Sequence, residues 1–246
     1  MQHPMRRLPA LLAMLCAMPM ALAAVQVDIH TPAAIDACTV ANPCPVAVLS
    51  PGYGFAGADY AFVTRQLNGM GYLVMALRDS AGGAQLDRNA PIAPQVQSMA
   101  RATSTSIAAA VDATAPRFPQ FDWRRLVLVG HSLGGDSSAQ FAADYPARVT
   151  ALISLDSRRV ALPRTAGIRV LTIRASDTAA DAGILPDEQE RRRFGTCVVH
   201  FHGARHNDMQ DAGSEALKTG IVSAIGTFLS PARQPAYACA PDARLD

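Results

Sequence analysis

The stretch "LVLVGHSLGG", Leu126 to Gly135, sets four consecutive apolar residues directly against a cluster of glycines around one serine. A short unbroken apolar run suits a strand buried on both faces. The Ala-rich segment after it, through about Ala143, reads as a helix. A strand that feeds straight into a helix needs a tight turn. With Ser132 at that turn, its backbone is strained and its hydroxyl projects above the sheet edge. A side chain two residues to either side would collide with the turn, and Gly130 and Gly134 remove those collisions. The pattern is G-x-S-x-G in strand–turn–helix context, which presents a serine as a nucleophile. The following helix aims its first amides at the point where negative charge would develop. A phosphate loop is excluded, because no Gly-Lys-Ser/Thr ending occurs. The plain alternative is a glycine-rich turn with an incidental serine.

Outward from this stretch, strand and helix alternate. Val25 to His30, Val46 to Ser50, Tyr72 to Leu77, "TALISL", "RVLTIR" and "CVVHF" read as strands. Tyr60 to Met70, Val96 to Ala113, Pro186 to Phe194 and a last segment through Leu229 read as helices, with Asp59 and Ser214 as caps. Asp79 to Pro94 reads as a loop. The order predicts an α/β fold, a single doubly wound and mostly parallel sheet. No internal repeat, low-complexity segment or dividing linker occurs in the chain.

A serine hydroxyl needs a base within hydrogen-bond reach, and the base needs an orienting acid. His206, in "GARHNDM" just past the last strand, is the favoured base, with His202 in reserve. His30 lies far upstream, and His131, beside the serine, is expected to point away from it. His200 and His202 share one face of the last strand, so a structural role is open to them. The H-x-H-x3-H spacing also permits a metal site, but no carboxylate or Cys is clearly paired with it. The acid should lie between nucleophile and base in chain order. Asp177 in "RASDTAAD" is favoured, with Asp156 in "ISLDS" and Asp181 as alternatives. Oxyanion donors are expected from the backbone N–H groups of Leu133 and of Tyr53 in "SPGYG". No cofactor is implied.

Arg6 and Arg7, the apolar run Leu8 to Leu22 and Ala21-Leu22-Ala23 read together as a cleaved secretory signal over residues 1–23. Residues 24–246 would then form the mature domain, secreted or periplasmic. Without Arg6 and Arg7 the basic residues fall from 22 to 20, matching the 20 acids. This neutral balance, with no basic block, argues against nucleic acid as a partner. No later run is long enough for a bilayer, so no stable membrane insertion is expected after cleavage. The mature segment keeps Cys38, Cys44, Cys197 and Cys239. An even count in an exported chain suggests two disulfides. Of three pairings, Cys38–Cys44 with Cys197–Cys239 is favoured, since it would staple an aperiodic, proline-rich tail to the last strand.

"SPGYG", "GHSLGG", "RASD" and "GARHNDM" occur in the order found in the α/β-hydrolase superfamily, which the chain resembles over nearly all of its mature length. Within it the chain is similar to compact secreted bacterial esterases, such as cutinase-like polyester hydrolases and bacterial relatives of platelet-activating-factor acetylhydrolase. The resemblance implies a Ser132–His206–Asp177 triad, an oxyanion hole of the Tyr53 and Leu133 amides, and a small-molecule ester as substrate. The polyester hydrolases usually carry a Trp close to the acid. Here the only Trp is Trp123, before the elbow strand. About a dozen residues separate the strands ending near Leu155 and starting near Arg169, too few for a large cap domain. An amidase or peptidase on the same machinery, and a catalytically silent binding protein on this fold, are the competing readings.

Overall fold

A computed structural model describes residues 25–230, 239 and 242–244. The expected signal segment, residues 1–23, lies outside the described residues. The strands are β1 (Val27–His30), β2 (Cys44–Ser50), β3 (Leu73–Leu77), β4 (Phe121–His131), β5 (Val149–Leu155), β6 (Arg169–Arg174), β7 (Cys197–His202) and β8 (Ala243–Arg244). They form one sheet in the order β1-β3-β2-β4-β5-β6-β7-β8. Only β1 runs antiparallel to its neighbour. The helices are α1 (Ala61–Gly69), α2 (Ile92–Thr114), α3 (Leu133–Asp144), α4 (Glu188–Phe194) and α5 (Glu215–Leu229).

The apolar strand runs are explained by the two cores they divide. Strand side chains alternate between faces. Leu126 and Leu128 of β4 join Val46, Val48, Met75 and Leu152 on one face, under Ile107 and Val111 of α2 and Phe141 of α3. Val127 and Val129 join Ala47, Leu49 and Ile153 on the other, under Phe62 and Leu67 of α1 and Leu217, Ile221 and Ile225 of α5. Each fully buried Leu, Ile, Val or Phe contributes roughly 1.5–3 kcal/mol of transfer free energy, which makes a one-residue slip of β4 costly on both sides. No helix or strand interrupts residues 156–168, and no separate cap domain is present among the described residues.

Three local readings are corrected. Asp59 does not cap α1. Its Oδ2 accepts from the Ala56 N–H at 2.8 Å, while Asp211 reaches from far downstream to accept from Ala61 and Phe62 at 2.8 and 3.1 Å. Second, α2 starts at Ile92, inside the expected loop. Pro94 is tolerated there because first-turn N–H groups have no intrahelical partner anyway. Third, β4 extends back to Phe121, well before the apolar run. Ser214 does cap α5, accepting from the Leu217 N–H at 3.2 Å. Both favoured disulfides are present, Cys38–Cys44 and Cys197–Cys239, each with a Cα–Cα distance of 5.2 Å.

Candidate active site

Ser132 sits between β4 and α3 with φ 51° and ψ −119°, a left-handed-side conformation that is rare for a residue with a side chain. Its N–H is held by the Leu155 carbonyl at 2.9 Å. A methyl at Gly130 would fall on the Gly134 carbonyl and the Gly135 nitrogen, and a methyl at Gly134 on the Ser50 and Pro51 carbonyls. The elbow and the "SPGYG" loop are therefore packed backbone against backbone.

The neighbouring strand ends the same way. Asp156, the residue after β5, has φ 52°, and its N–H is held by the Ile173 carbonyl of β6 at 2.9 Å. Two adjacent strands thus end in matched elbows, and the side chains they expose are a serine and an aspartate. His206 joins them from the loop after β7. Its Nε2 lies 2.8 Å from Ser132 Oγ, and its Nδ1 lies 2.6 Å from Asp156 Oδ2. The arrangement fits a Ser–His–Asp triad.

The expected acid, Asp177, is not on the imidazole. It is exposed, in the loop beyond β6, and its Oδ1 accepts the backbone N–H of His206 at 2.8 Å. The reason is the strand order. β5 lies directly beside β4, so its end faces Ser132, whereas β6 lies one strand further out. Asp177 holds the histidine loop and Asp156 holds the ring. Asp181 offers its backbone N–H to the Arg158 carbonyl at 3.0 Å. His200 and His202 are exposed on β7, their rings 6.3 Å apart. Among the described residues no group of three side chains is arranged to hold a metal ion.

Asp156 is fully buried, which alone would raise its pKa. The His206 hydrogen bond, the Arg174 charge, the Thr178 hydroxyl and the Ala175 N–H outweigh burial and hold it down at about 2. Arg174 is itself buried. Its Nη2 lies 2.8 Å from Asp156 Oδ1 as an ion pair, and its Nη1 donates to the Ser157 carbonyl at 2.6 Å. Thr178 Oγ1 donates to Asp156 Oδ2 at 2.7 Å. A charge this deep is tolerated only when paired and hydrogen-bonded.

A second chain of hydrogen bonds runs behind the histidine. His131 is fully buried. Its Nε2 is 2.9 Å from the His206 carbonyl, which can only accept, so Nε2 carries the proton. Nδ1 of the neutral ring then accepts from Tyr60 Oη at 2.7 Å, and Tyr60 Oη accepts the Gly52 N–H at 3.1 Å. Burial first, then the nearby His206, push the His131 pKa down to about 3, which keeps the ring neutral. His131 therefore does not face Ser132. It ties the "SPGYG" loop to the loop that carries His206.

Leu133 opens α3, so its N–H belongs to the first turn, where no intrahelical acceptor exists. Leu133 also packs against Tyr53, beside Val96, Met99, Leu86 and Ile92, forming a small apolar cluster at the elbow. Tyr53 Oη accepts the Leu86 N–H at 3.1 Å and fastens the 79–91 loop to the site. Sequence reasoning missed Arg174, Thr178, Tyr60 and Arg158. No motif marks them, since each acts through strand adjacency or burial.

A family model described as "alpha/beta hydrolase fold" matches residues 91–176. The dienelactone hydrolase-like promiscuous phosphotriesterase from metagenomic libraries superposes with a TM-score of 0.53 at 20% identity, covering 76% of this chain and 86% of that one. Thermogutta terrifontis esterase 2, in a structure phosphonylated by cyclosarin, superposes with a TM-score of 0.53 at 15% identity, covering 82% and 87%. A Drosophila melanogaster protein named as a probable serine hydrolase is 32% identical over 71 residues, 29% of this chain and 22% of that relative's length. The sheet order, the elbow and these matches give the chain the α/β-hydrolase fold.

Proposed function

We propose that the protein is an exported serine hydrolase that cleaves carboxylic esters of small molecules through Ser132, His206 and Asp156. The observation that carries this reading is the unbroken line from Asp156 Oδ2 through the His206 ring to Ser132 Oγ, with contacts of 2.6 and 2.8 Å. In the proposed reaction His206 Nε2 takes the Ser132 proton as Oγ attacks the carbonyl carbon. The Tyr53 and Leu133 N–H groups receive the oxyanion. His206 then returns the proton to the leaving alcohol, and water, deprotonated in turn by His206, releases the acid. Asp156, ionised at working pH, orients the ring and stabilises the imidazolium.

Export rests on the signal pattern in residues 1–23 and is consistent with two disulfides. A related fold, the Thermogutta esterase, is named as phosphonylated by an organophosphorus agent, so a fluorophosphonate is a fitting probe. The purified protein should be labelled by it at Ser132, and p-nitrophenyl esters should be turned over. A protein that is neither labelled nor active on short-chain esters would contradict the reading and favour a silent binding protein.

A further inference from the structure

Arg158 lies two residues past the acid, and the mechanism above does not use it. Its Nη2 is 3.5 Å from His206 Nε2. That is long for a hydrogen bond, and the Nε2 lone pair is already engaged by the Ser132 hydroxyl. Its Nε is buried with no hydrogen-bond partner, and none of the ion pairs among the described residues includes Arg158. Asp177, in the loop after β6, spends an oxygen on the His206 N–H, and Asp136 spends one on the Arg158, Arg159 and Val160 N–H groups. Asp156 is taken by His206, Thr178 and Arg174.

The segment that carries this guanidinium is fixed. Asp136 Oδ1 accepts the consecutive N–H groups of Arg158, Arg159 and Val160 at 3.2, 2.8 and 2.8 Å. The Arg158 carbonyl accepts from the Asp181 N–H, and the Arg159 carbonyl from Gln97 Nε2 at 3.1 Å. A guanidinium with no direct ion pair, on a fixed stretch of backbone, therefore stands within a few ångströms of the reacting proton, with Asp156, Asp136 and Asp177 acting on it only through their charge. Such a guanidinium has no carboxylate hydrogen-bonded to it and keeps donors free for an arriving anion.

We infer that Arg158 recognises a carboxylate on the alcohol half of the substrate, so that the preferred substrates are esters of hydroxy acids. This rests on the ester-hydrolase reading above and specifies its substrate class. The side of the scissile bond follows from geometry. The leaving oxygen must come within hydrogen-bond reach of His206 Nε2 to receive its proton. Arg158 flanks that same nitrogen, so a carboxylate one or two carbons beyond the leaving oxygen reaches the guanidinium. In the step itself the Ser132 Oγ–acyl bond forms and the acyl–oxygen bond breaks. The proton passes from Oγ through Nε2 to the departing hydroxy acid, whose carboxylate stays ionised throughout. The planar fork of arginine suits a carboxylate better than a lysine ammonium does.

The test compares 2-acetoxybenzoate with its uncharged counterpart 2-acetoxybenzamide, using the wild type, Arg158→Gln and Arg158→Lys, with phenyl acetate as the reference ester. The wild type should prefer the carboxylate by about tenfold or more in kcat/KM, the scale of one charge-assisted contact, with most of the difference in KM. Arg158→Gln should abolish that preference and Arg158→Lys should restore part of it. Added salt should weaken the preference only modestly, because the site is partly buried. Cleavage of phenyl acetate with equal use of the two substrates, or a preference that survives in Arg158→Gln, overturns the role of Arg158 and leaves the esterase reading standing. No cleavage of any of the three, with no fluorophosphonate labelling, overturns both.

Discussion

At the residue scale, His206, the proposed base, is placed by contacts that differ in kind. Its ring is fixed by Asp156, its N–H by Asp177 and its carbonyl by His131. Tyr60→Phe removes the hydroxyl that joins His131 to Gly52, leaving a buried acceptor and a buried N–H unpaired. The expected cost is about 1–3 kcal/mol of stability, seen as a lower urea midpoint. Loosening both loops should also reduce kcat by roughly ten- to a hundredfold with little change in KM. Arg174→Met leaves Asp156 buried without its cation. Destabilisation of about 3–5 kcal/mol is expected, as for one broken half of a buried pair. The Asp156 pKa should rise, so the acid limb of the pH–rate profile should move to higher pH. A profile unchanged in that limb would show that Arg174 does not support the acid.

At the element scale, the elbow is built from what glycine lacks. Gly134→Ala drives a methyl into the Ser50 and Pro51 carbonyls. The expected cost is ~3 kcal/mol or more, at the upper end for overpacking, and calorimetry should show a lower Tm together with slower fluorophosphonate labelling. The disulfides differ in the chain they enclose. Cys197–Cys239 spans 42 positions and Cys38–Cys44 spans 6. The chain-entropy model values these at about 4 and about 2 kcal/mol, so Cys239→Ser should lower Tm more than Cys38→Ser. Most elements were legible in the sequence, because β4 and its neighbours bury both faces and must be apolar throughout. The start of α2 was not, because a proline in a first turn looks the same as a proline in a loop. The Asp211 cap was not, because a side chain reaching α1 from far downstream leaves no local pattern.

At the scale of the whole molecule, the site is a product of strand order, and this limits what a sequence discloses. Ser132 was legible because its constraint is local: the elbow writes glycines on either side. Asp156 has a constraint just as strong, a positive φ beside the strand that ends at Ser132, but the chain does not say that β5 rather than β6 lies next to β4. Acid stability is also a global readout. His131 has a folded pKa near 3 against an ordinary 6.5. The unfolded chain therefore binds the proton first as pH falls, and stability is lost by up to about 1.4 kcal/mol per pH unit between those values. Asp136, raised mainly by burial to about 6 from an ordinary 3.8, acts with the opposite sign in its own window. His131→Asn should therefore show a smaller loss, or a gain, of urea stability from pH 7 to pH 4.5 than the wild type, and equal slopes would contradict the neutral, buried His131. The central claim is that the triad is completed across adjacent strand ends by Asp156. The most direct test is the kcat of Asp156→Asn beside that of Asp177→Asn on one p-nitrophenyl ester. A loss of about 10³ to 10⁴ in Asp156→Asn, with Asp177→Asn retaining most of its turnover, is the predicted result. The reverse order, with both variants folded, would contradict the account.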